Sequence, residues 1–249
     1  MQHELITDWI KTYAEKHNIK ALVVGVSGGI DSAVTSTLAA KTGIKTYCLL
    51  LPIHQMQSHT DRGEEHIKWL KESYPNVIKL KFDLTDTYRS FASTVNPYVS
   101  SHSLANTRAR LRMTTLYQIA SMYNGIVVGT GNKVEDFGVG FYTKYVDGGV
   151  DISPIADLMK SEVYEVGEQL GIINSIMKAP PTDGLFEDSR TDEQQLGATY
   201  DELEWAMNFS GDTSNLSSKH LEVLEIYRKL NKQNKHKMDP IPVYLKSKF

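Results

Sequence analysis

The sequence predicts an α/β protein: a doubly wound, mostly parallel sheet with helices on both faces. Three observations carry this. Short apolar, β-branched runs alternate with longer stretches of helical period through the first half of the chain. The first and last of these runs both end in glycine-rich turns, Ser27-Gly28-Gly29 and Gly129-Thr130-Gly131. No internal repeat or long linker interrupts the 249 residues, so a single domain over 1–249 is expected. Strand-then-helix repetition is the pattern of a parallel sheet, whose strands are buried on both faces and joined by helices. Such sheets bind ligands at the carboxyl ends of their strands, where the strand order reverses. Both glycine-rich turns are therefore expected on one crevice.

The elements follow in order. Residues 21–26, 46–51, 77–82 and 126–129 are the strand-like runs. Residues 32–41, 61–73, 84–95 and 104–123 have helical period. Beyond residue 150, the stretch 157–170 reads as one helix stopped by Gly171. The run Lys178-Ala179-Pro180-Pro181-Thr182-Asp183-Gly184 is turn chemistry. Thr191 followed by Gln194 is a capping box that opens another helix. Residues 216–230 form a last amphipathic helix and 231–237 a polar tail, so 216–249 is expected to be a C-terminal helix and tail.

Composition narrows the function classes. Hydrophobic residues make up 41%, enough for a sizeable core. The net charge is −3 and the isoelectric point about 6.2, unlike the basic balance of a protein that grips nucleic-acid phosphates. Cys48 is the only cysteine, which excludes an internal disulfide and a cysteine-based metal site. The N-terminal stretch carries both charge signs and lacks the apolar run of a signal peptide, and no segment has the length of a membrane span. A cytoplasmic location, with no nucleic-acid partner and no membrane, is expected.

The strongest motif is Ser27-Gly28-Gly29-Ile30-Asp31-Ser32, placed between a strand-like run and a helix. Its glycines let the backbone approach an anion, and successive N–H groups at a helix N-terminus attract it. Hydroxyls of Ser27 and Ser32 add donors. Asp31 would repel a phosphate unless a cation bridges the two, and Mg²⁺ takes carboxylate and phosphate oxygens together. The chain contains no G-x-x-x-x-G-K-[ST], which disfavours kinases and GTPases of that type. A serine-capped Gly-Gly turn is the plain alternative.

This loop resembles the PP-loop of enzymes that split ATP into AMP and pyrophosphate. Further segments are similar to the ammonia-dependent NAD synthetase family. They are Asn106-Thr107-Arg108-Ala109-Arg110-Leu111-Arg112-Met113, Gly129-Thr130-Gly131-Asn132-Lys133-Val134-Glu135, and Thr143-Lys144-Tyr145-Val146-Asp147-Gly148-Gly149-Val150-Asp151. The stretch from Asp157 through Lys160 to Thr182 and the pair His236-Lys237 complete the match, in family order from about residue 20 to about residue 240. Val146 stands where the family has glycine. In a helix, Arg108 and Arg112 share a face while Arg110 points about 200° away from Arg108, so the three arginines have different jobs.

The resemblance implies an adenine nucleotide alpha-hydrolase-like, Rossmann-like three-layer fold and a set of site residues. Gly25, Val26, Ser27, Gly28, Gly29, Ile30, Asp31 and Ser32, with Thr130, Lys160 and Thr182, would bind ATP. Asp31 and Glu135 would hold Mg²⁺, and Asp31 and Lys160 would be catalytic. Arg110, Lys144, Asp151, His236 and Lys237 would bind deamido-NAD. Each has a plainer reading when taken alone. Glu135 is also an ordinary first-turn helix glutamate, 143–151 a surface hairpin, and His236-Lys237 part of a polar tail. Contacts to adenine and ribose in the segment 51–57 are not assignable.

The activity implied is amidation of deamido-NAD to NAD with ATP and ammonia, through an adenylated intermediate that needs shielding from water. Residues 180–192, with their prolines and mixed charge, have the composition of a lid. The chain has no spare length for a glutaminase domain, so free ammonia is the expected donor. The family also implies a homodimer. The rival readings are a tRNA-modifying PP-loop enzyme, disfavoured by charge and by the single cysteine, and a non-catalytic nucleotide sensor.

Overall fold

The computed structural model describes residues 1–145, 149–182 and 191–246. Helix α1 (Gln2–Lys16) precedes β1 (Ala21–Gly25), α2 (Ile30–Lys41), β2 (Lys45–Leu50), α3 (Gln57–Ser73), β3 (Val77–Lys81), α4 (Thr85–Thr94), α5 (Ser101–Met122) and β4 (Gly125–Val127). A π-helical turn (Val134–Val139) follows, then α6 (Lys160–Leu170), α7 (Asn174–Met177), α8 (Asp192–Leu196), α9 (Tyr200–Asn208) and α10 (Ser218–Met238). The sheet has the order β3-β2-β1-β4 and every pairing is parallel. The chain leaves β1 towards β2 on one side, and β4 returns on the other. The carboxyl ends of β1 and β4 therefore flank the reversal of strand order, as the glycine-rich turns predict.

Alternation along the strands sorts the helices into layers. Leu22, Val24, Ile126 and Val128 pack with Ala33, Val34 and Leu38 of α2, Val163 and Val166 of α6, and Ile10 of α1. Cys48 and Leu50 pack with Ile67 and Leu70 of α3. The opposite pleat, Val23, Leu49 and Val127, meets Ala120, Leu116 and Ile119 of α5. Helices therefore cover both faces. A further cluster joins Val134 and Val139 of the π-helical turn to Leu196, Leu203 of α9 and Val223 of α10. Cys48 is fully buried and its thiol is pushed up to about 12 by that burial, which makes it a core residue.

Several boundaries differ from the sequence expectation for physical reasons. Helix α6 starts at Lys160, not at residue 157. The Leu158 carbonyl accepts from Lys133 N–H, and Glu162 reaches back to the Met159 amide at 2.7 Å, so the turn before Lys160 is spent on a tertiary bond and on the cap of the helix. Helix α5 starts earlier than residue 104 because Ser100 caps it reciprocally with Ser103. The expected polar tail 231–237 is the end of helix α10. Asn231 donates to the Gly138 carbonyl at 2.7 Å and Asn234 to that of Val139 at 2.9 Å. Lys237 bonds the Gly140 and Tyr142 carbonyls at 2.8 and 2.9 Å. These polar side chains recur at helical spacing because they satisfy carbonyls at the end of the π-helical turn.

One core residue makes stability depend on pH. His66 on α3 is fully buried, and its Nε2 lies 2.9 Å from Ser36 Oγ. The Ser36 hydroxyl donates to the Ser32 carbonyl at 2.7 Å. Placing the imidazole proton on Nε2 satisfies both bonds, and leaves Nδ1 without a partner among the described residues. Burial pushes the His66 pKa down to about 4 from 6.5. Between those values the unfolded chain binds the proton and the folded one does not, so stability falls as pH drops through the window. The full effect is about 3 kcal/mol. Urea unfolding of the wild type from pH 7 to pH 4 should show this slope, and His66→Gln should flatten it.

Candidate active site

The loop after β1 is organised around Ser32. Its hydroxyl accepts from the Ser27 N–H at 3.1 Å and donates to the Gly29 carbonyl at 3.0 Å. Ser27 Oγ in turn accepts from Gly29 N–H at 3.2 Å. Gly28 has φ +87, and a Cβ there would collide with the His59 carbonyl oxygen of α3. Helix α3 approaches this closely because Gly63 faces the loop, and Arg62 Nε donates to the Gly28 carbonyl at 3.2 Å. Gly29 is the N-cap of α2 and no side chain caps that end among the described residues. The first-turn amides of α2 therefore face the cleft as ready anion donors.

The turn after β4 brings the acidic groups. Gly129 N–H donates to the Ile152 carbonyl at 2.8 Å, which pins the turn beside the sheet. Asn132 is fully buried and bridges the halves of the site: its Nδ2 donates to Asp31 Oδ1 at 3.1 Å, and its Oδ1 accepts from Glu135 N–H at 3.1 Å. Lys160, the first residue of α6, inserts between the carboxylates. Its Nζ lies 2.6 Å from Asp31 Oδ2 and 2.9 Å from Glu135 Oε1, with the side chain 3% exposed. The Tyr200 hydroxyl also donates to Glu135 Oε1, at 2.7 Å.

Electrostatics here is a balance between burial and pairing. Burial lowers the Lys160 pKa on its own, but Asp31 and Glu135 override it and hold the ammonium charged well above its usual range. Burial raises Asp31, and the neighbouring Glu135 charge adds to this against the pull of Lys160, so its carboxyl lies above the usual value. Glu135 feels the same burial, yet Lys160, the Tyr200 hydroxyl and Asn132 bring it below its usual value. Tyr200 is driven strongly upward by burial and by Glu135, which keeps its hydroxyl a donor. Asp31 and Glu135 share the buried Lys160 ammonium, and Asp136 and Asp192 also line the cleft.

The cleft is lined by residues 25–27 and 29–32, by Thr130 and Gly131, by Lys160, and by Pro180, Pro181 and Thr182. The expected ATP residues thus come together, with Gly28 forming the loop backbone behind them. Of the expected lid over 180–192, residues 183–190 lie outside the described residues. So does Val146. Leu51, Pro52 and Gln55 of the 51–55 segment, opaque in sequence, also line the cleft. Arg112 fixes the segment by donating to the Leu51 carbonyl at 3.0 Å and to Gln55 Oε1 at 3.2 Å.

The residues expected to bind deamido-NAD divide. Arg110 Nη2 reaches the Lys144 carbonyl at 3.4 Å, Lys144 Nζ bonds the His236 carbonyl at 2.7 Å, and Asn106 bonds Thr143. Arg110, Lys144 and the His236-Lys237 turn therefore form one cluster, beside Phe141 and Tyr142 of the cleft wall. Asp151 sits elsewhere. Its Oδ2 accepts from Val127 N–H at 2.7 Å at the β4 end, and the Tyr117 hydroxyl bonds it as well. The arginines do separate work, as their helical positions require: Arg108 lies over the Tyr88 ring, 5.1 Å from its centroid.

Sequence reading missed Tyr200, Asn132 as the bridge, and Arg62. Asn132 lies inside a quoted motif, but its bridging needs the fold. Tyr200 follows a Thr199 cap with Glu202 as its partner, a pattern that announces a helix and nothing about the side chain that helix delivers.

The profile described as NAD synthase matches residues 2–242. The NH(3)-dependent NAD(+) synthetase of Alkaliphilus metalliredigens is 35% identical over 97% of this chain and 98% of its own. That of Mesoplasma florum is 36% identical over 81% of each. Among solved structures, the NMN synthetase of Francisella tularensis superposes with a TM-score of 0.87 at 31% identity, covering 98% of this chain and 97% of that one. An NH3-dependent NAD synthetase from Campylobacter jejuni, 22% identical, shares the fold with a TM-score of 0.78 over 98% of both chains.

Proposed function

The chain belongs to the NAD synthase family, and from that premise we infer that it uses ATP and free ammonia to convert the nicotinate carboxylate of deamido-NAD into the carboxamide of NAD. The observation that carries this reading is the Asp31–Lys160–Glu135 cluster set at the mouth of an anion-binding loop. The relatives named as NH(3)-dependent NAD(+) synthetases support ammonia as the donor.

The carboxylate attacks the α-phosphorus of ATP, pyrophosphate leaves, and an acyl-adenylate forms. Ammonia then attacks the acyl carbon, AMP departs and a proton is lost. No covalent protein nucleophile is needed, so the protein contributes positioning and charge. The first-turn amides of α2 and the Ser27 and Ser32 hydroxyls receive the departing pyrophosphate. Lys160 releases part of its hold on the carboxylates to meet phosphate oxygens as negative charge builds there. Arg110 and Lys144 fix the nicotinate substrate next to Phe141 and Tyr142.

The donor set fits a hard divalent cation. Asp31 and Glu135 converge on a single ammonium, so their oxygens already face one positive charge. Asp31 and Glu135 would hold Mg²⁺ together with phosphate oxygens, and it would supply neutralisation of the polyphosphate charge.

A second reading is favoured by one observation. The Francisella tularensis protein matched at a TM-score of 0.87 and 31% identity is an NMN synthetase, so the same amidation of nicotinate mononucleotide is the alternative. Pyrophosphate release with either substrate, with and without ammonium, separates the readings. Dependence on deamido-NAD, with a higher kcat/KM than for the mononucleotide, supports NAD synthesis. The reverse ratio makes the chain an NMN synthetase, and dependence on neither refutes both.

Arg110→Ala should raise KM for the nicotinate substrate about tenfold while leaving KM for ATP unchanged, since one charge-assisted contact is lost from one substrate. Steady-state kinetics with each substrate varied checks this split.

We also place the enzyme in the cytoplasm as a homodimer. Among the described residues, no helix is long and apolar enough to cross a membrane. The homodimer is what the resemblance to the family implies.

A further inference from the structure

Glu135 is held from a side that the reaction scheme above leaves unused. Tyr200, the first residue of α9, is 5% exposed, and its hydroxyl donates to Glu135 Oε1 at 2.7 Å. Lys160 Nζ bonds the same oxygen at 2.9 Å and lies 4.7 Å from the centroid of the Tyr200 ring. Asp192 Oδ2 stands 3.4 Å from the hydroxyl, so the single proton goes to the nearer Glu135. Tyr200 is itself fixed. Its backbone N–H donates to Glu193 Oε1 at 2.9 Å, and the Thr199 capping box anchors the first turn of α9. Its ring is packed in the cluster that holds Val134 and Leu203.

We propose that Tyr200 is a positioning residue: its hydroxyl orients the Glu135 carboxylate that would hold the divalent cation accompanying ATP, while its ring steadies Lys160 at the same place. This rests on the ATP-dependent reading above. Outer partners that orient a ligating carboxylate are worth about 10- to 100-fold in metal affinity or activity. Tyr200 thereby ties the α8–α9 segment, which follows residues 183–190, to the reacting phosphates.

Tyr200→Phe keeps the ring and removes only the donor. Mn²⁺ binding, followed by electron paramagnetic resonance with an ATP analogue methylene-bridged between the α- and β-phosphates, should weaken about tenfold. The Mg²⁺ concentration for half-maximal turnover should rise by about the same factor. KM for the nicotinate substrate should stay near wild type. Unchanged Mn²⁺ affinity overturns the proposal, because a residue that only packs would leave it unmoved. In a Glu135→Gln background, Tyr200→Phe should cause no further loss; an equal tenfold loss in both backgrounds also overturns it. Failure of the functional reading has a different signature. The wild type would then show no nicotinate-dependent pyrophosphate release, whereas the Mn²⁺ measurement needs only nucleotide.

Discussion

Asp31→Asn lowers turnover by about a thousandfold while the protein stays folded. The change removes one of the two carboxylates proposed to hold Mg²⁺ and leaves the backbone of the loop intact. Groups that stabilise developing charge in a water-poor site are typically worth about 100- to 1,000-fold in kcat, and in the proposed mechanism Asp31 serves both Mg²⁺ and Lys160. Stability is spared because Lys160 keeps Glu135 at 2.9 Å and the Tyr200 ring beneath it. Asp31 also carries a raised pKa, from burial first and then from Glu135, so its charge is held at a cost that the neutral side chain relieves. Lys160→Met behaves differently. It strands two carboxylates around a position that is 3% exposed, and removing one partner of a buried pair typically costs about 3–5 kcal/mol. Of the two changes, the geometry spares stability for Asp31 alone. Parallel kcat and Tm measurements on the two variants check the contrast.

Gly28→Ala abolishes ATP binding and destabilises the protein. At φ +87 an L-residue is strained, and here the added Cβ also meets the His59 carbonyl. Relief requires α3 to move away, which breaks the Arg62 bond to the Gly28 carbonyl and opens the loop that faces the phosphates. Strain and displacement together should cost about 2 kcal/mol or more. Gly29→Ala is the control for folding. Gly29 has φ −98 and ψ 165, and a Cβ there meets only Ser27 Oγ at an ordinary 3.4 Å. Its Tm should stay close to wild type. Calorimetric ATP titration and thermal unfolding of both variants read the difference.

The contrast between these glycines shows where sequence reading stops. The Ser27–Ser32 motif marks a phosphate loop because residue type, strand and helix fall in one short window. It does not say which glycine is indispensable, since that depends on α3 arriving from residues 57–73. The same holds for the fold. Parallel β-branched runs and their helices are legible as local periodicity, and the crevice between the β1 and β4 ends follows from the turns at Gly28 and Gly129. The start of α6 at Lys160 is not legible, because the Leu158 carbonyl is claimed by Lys133 from a distant turn. Nor is the helical state of 231–237, where polar residues that suggest a tail are instead partners for the carbonyls of 138–142. Asp31, Glu135 and Lys160 are each marked by motif resemblance. Their mutual contact, and the place of Tyr200 behind Glu135, exist only through space.

Oxygen transfer from the substrate tests the central claim most directly. Deamido-NAD labelled with ¹⁸O in its nicotinate carboxylate would be turned over with ATP, Mg²⁺ and ammonium, and the AMP analysed by mass spectrometry. The account predicts AMP carrying one labelled oxygen, donated when ammonia displaces it from the acyl-adenylate. NAD formed with unlabelled AMP, or with ADP and phosphate in place of AMP and pyrophosphate, would contradict it.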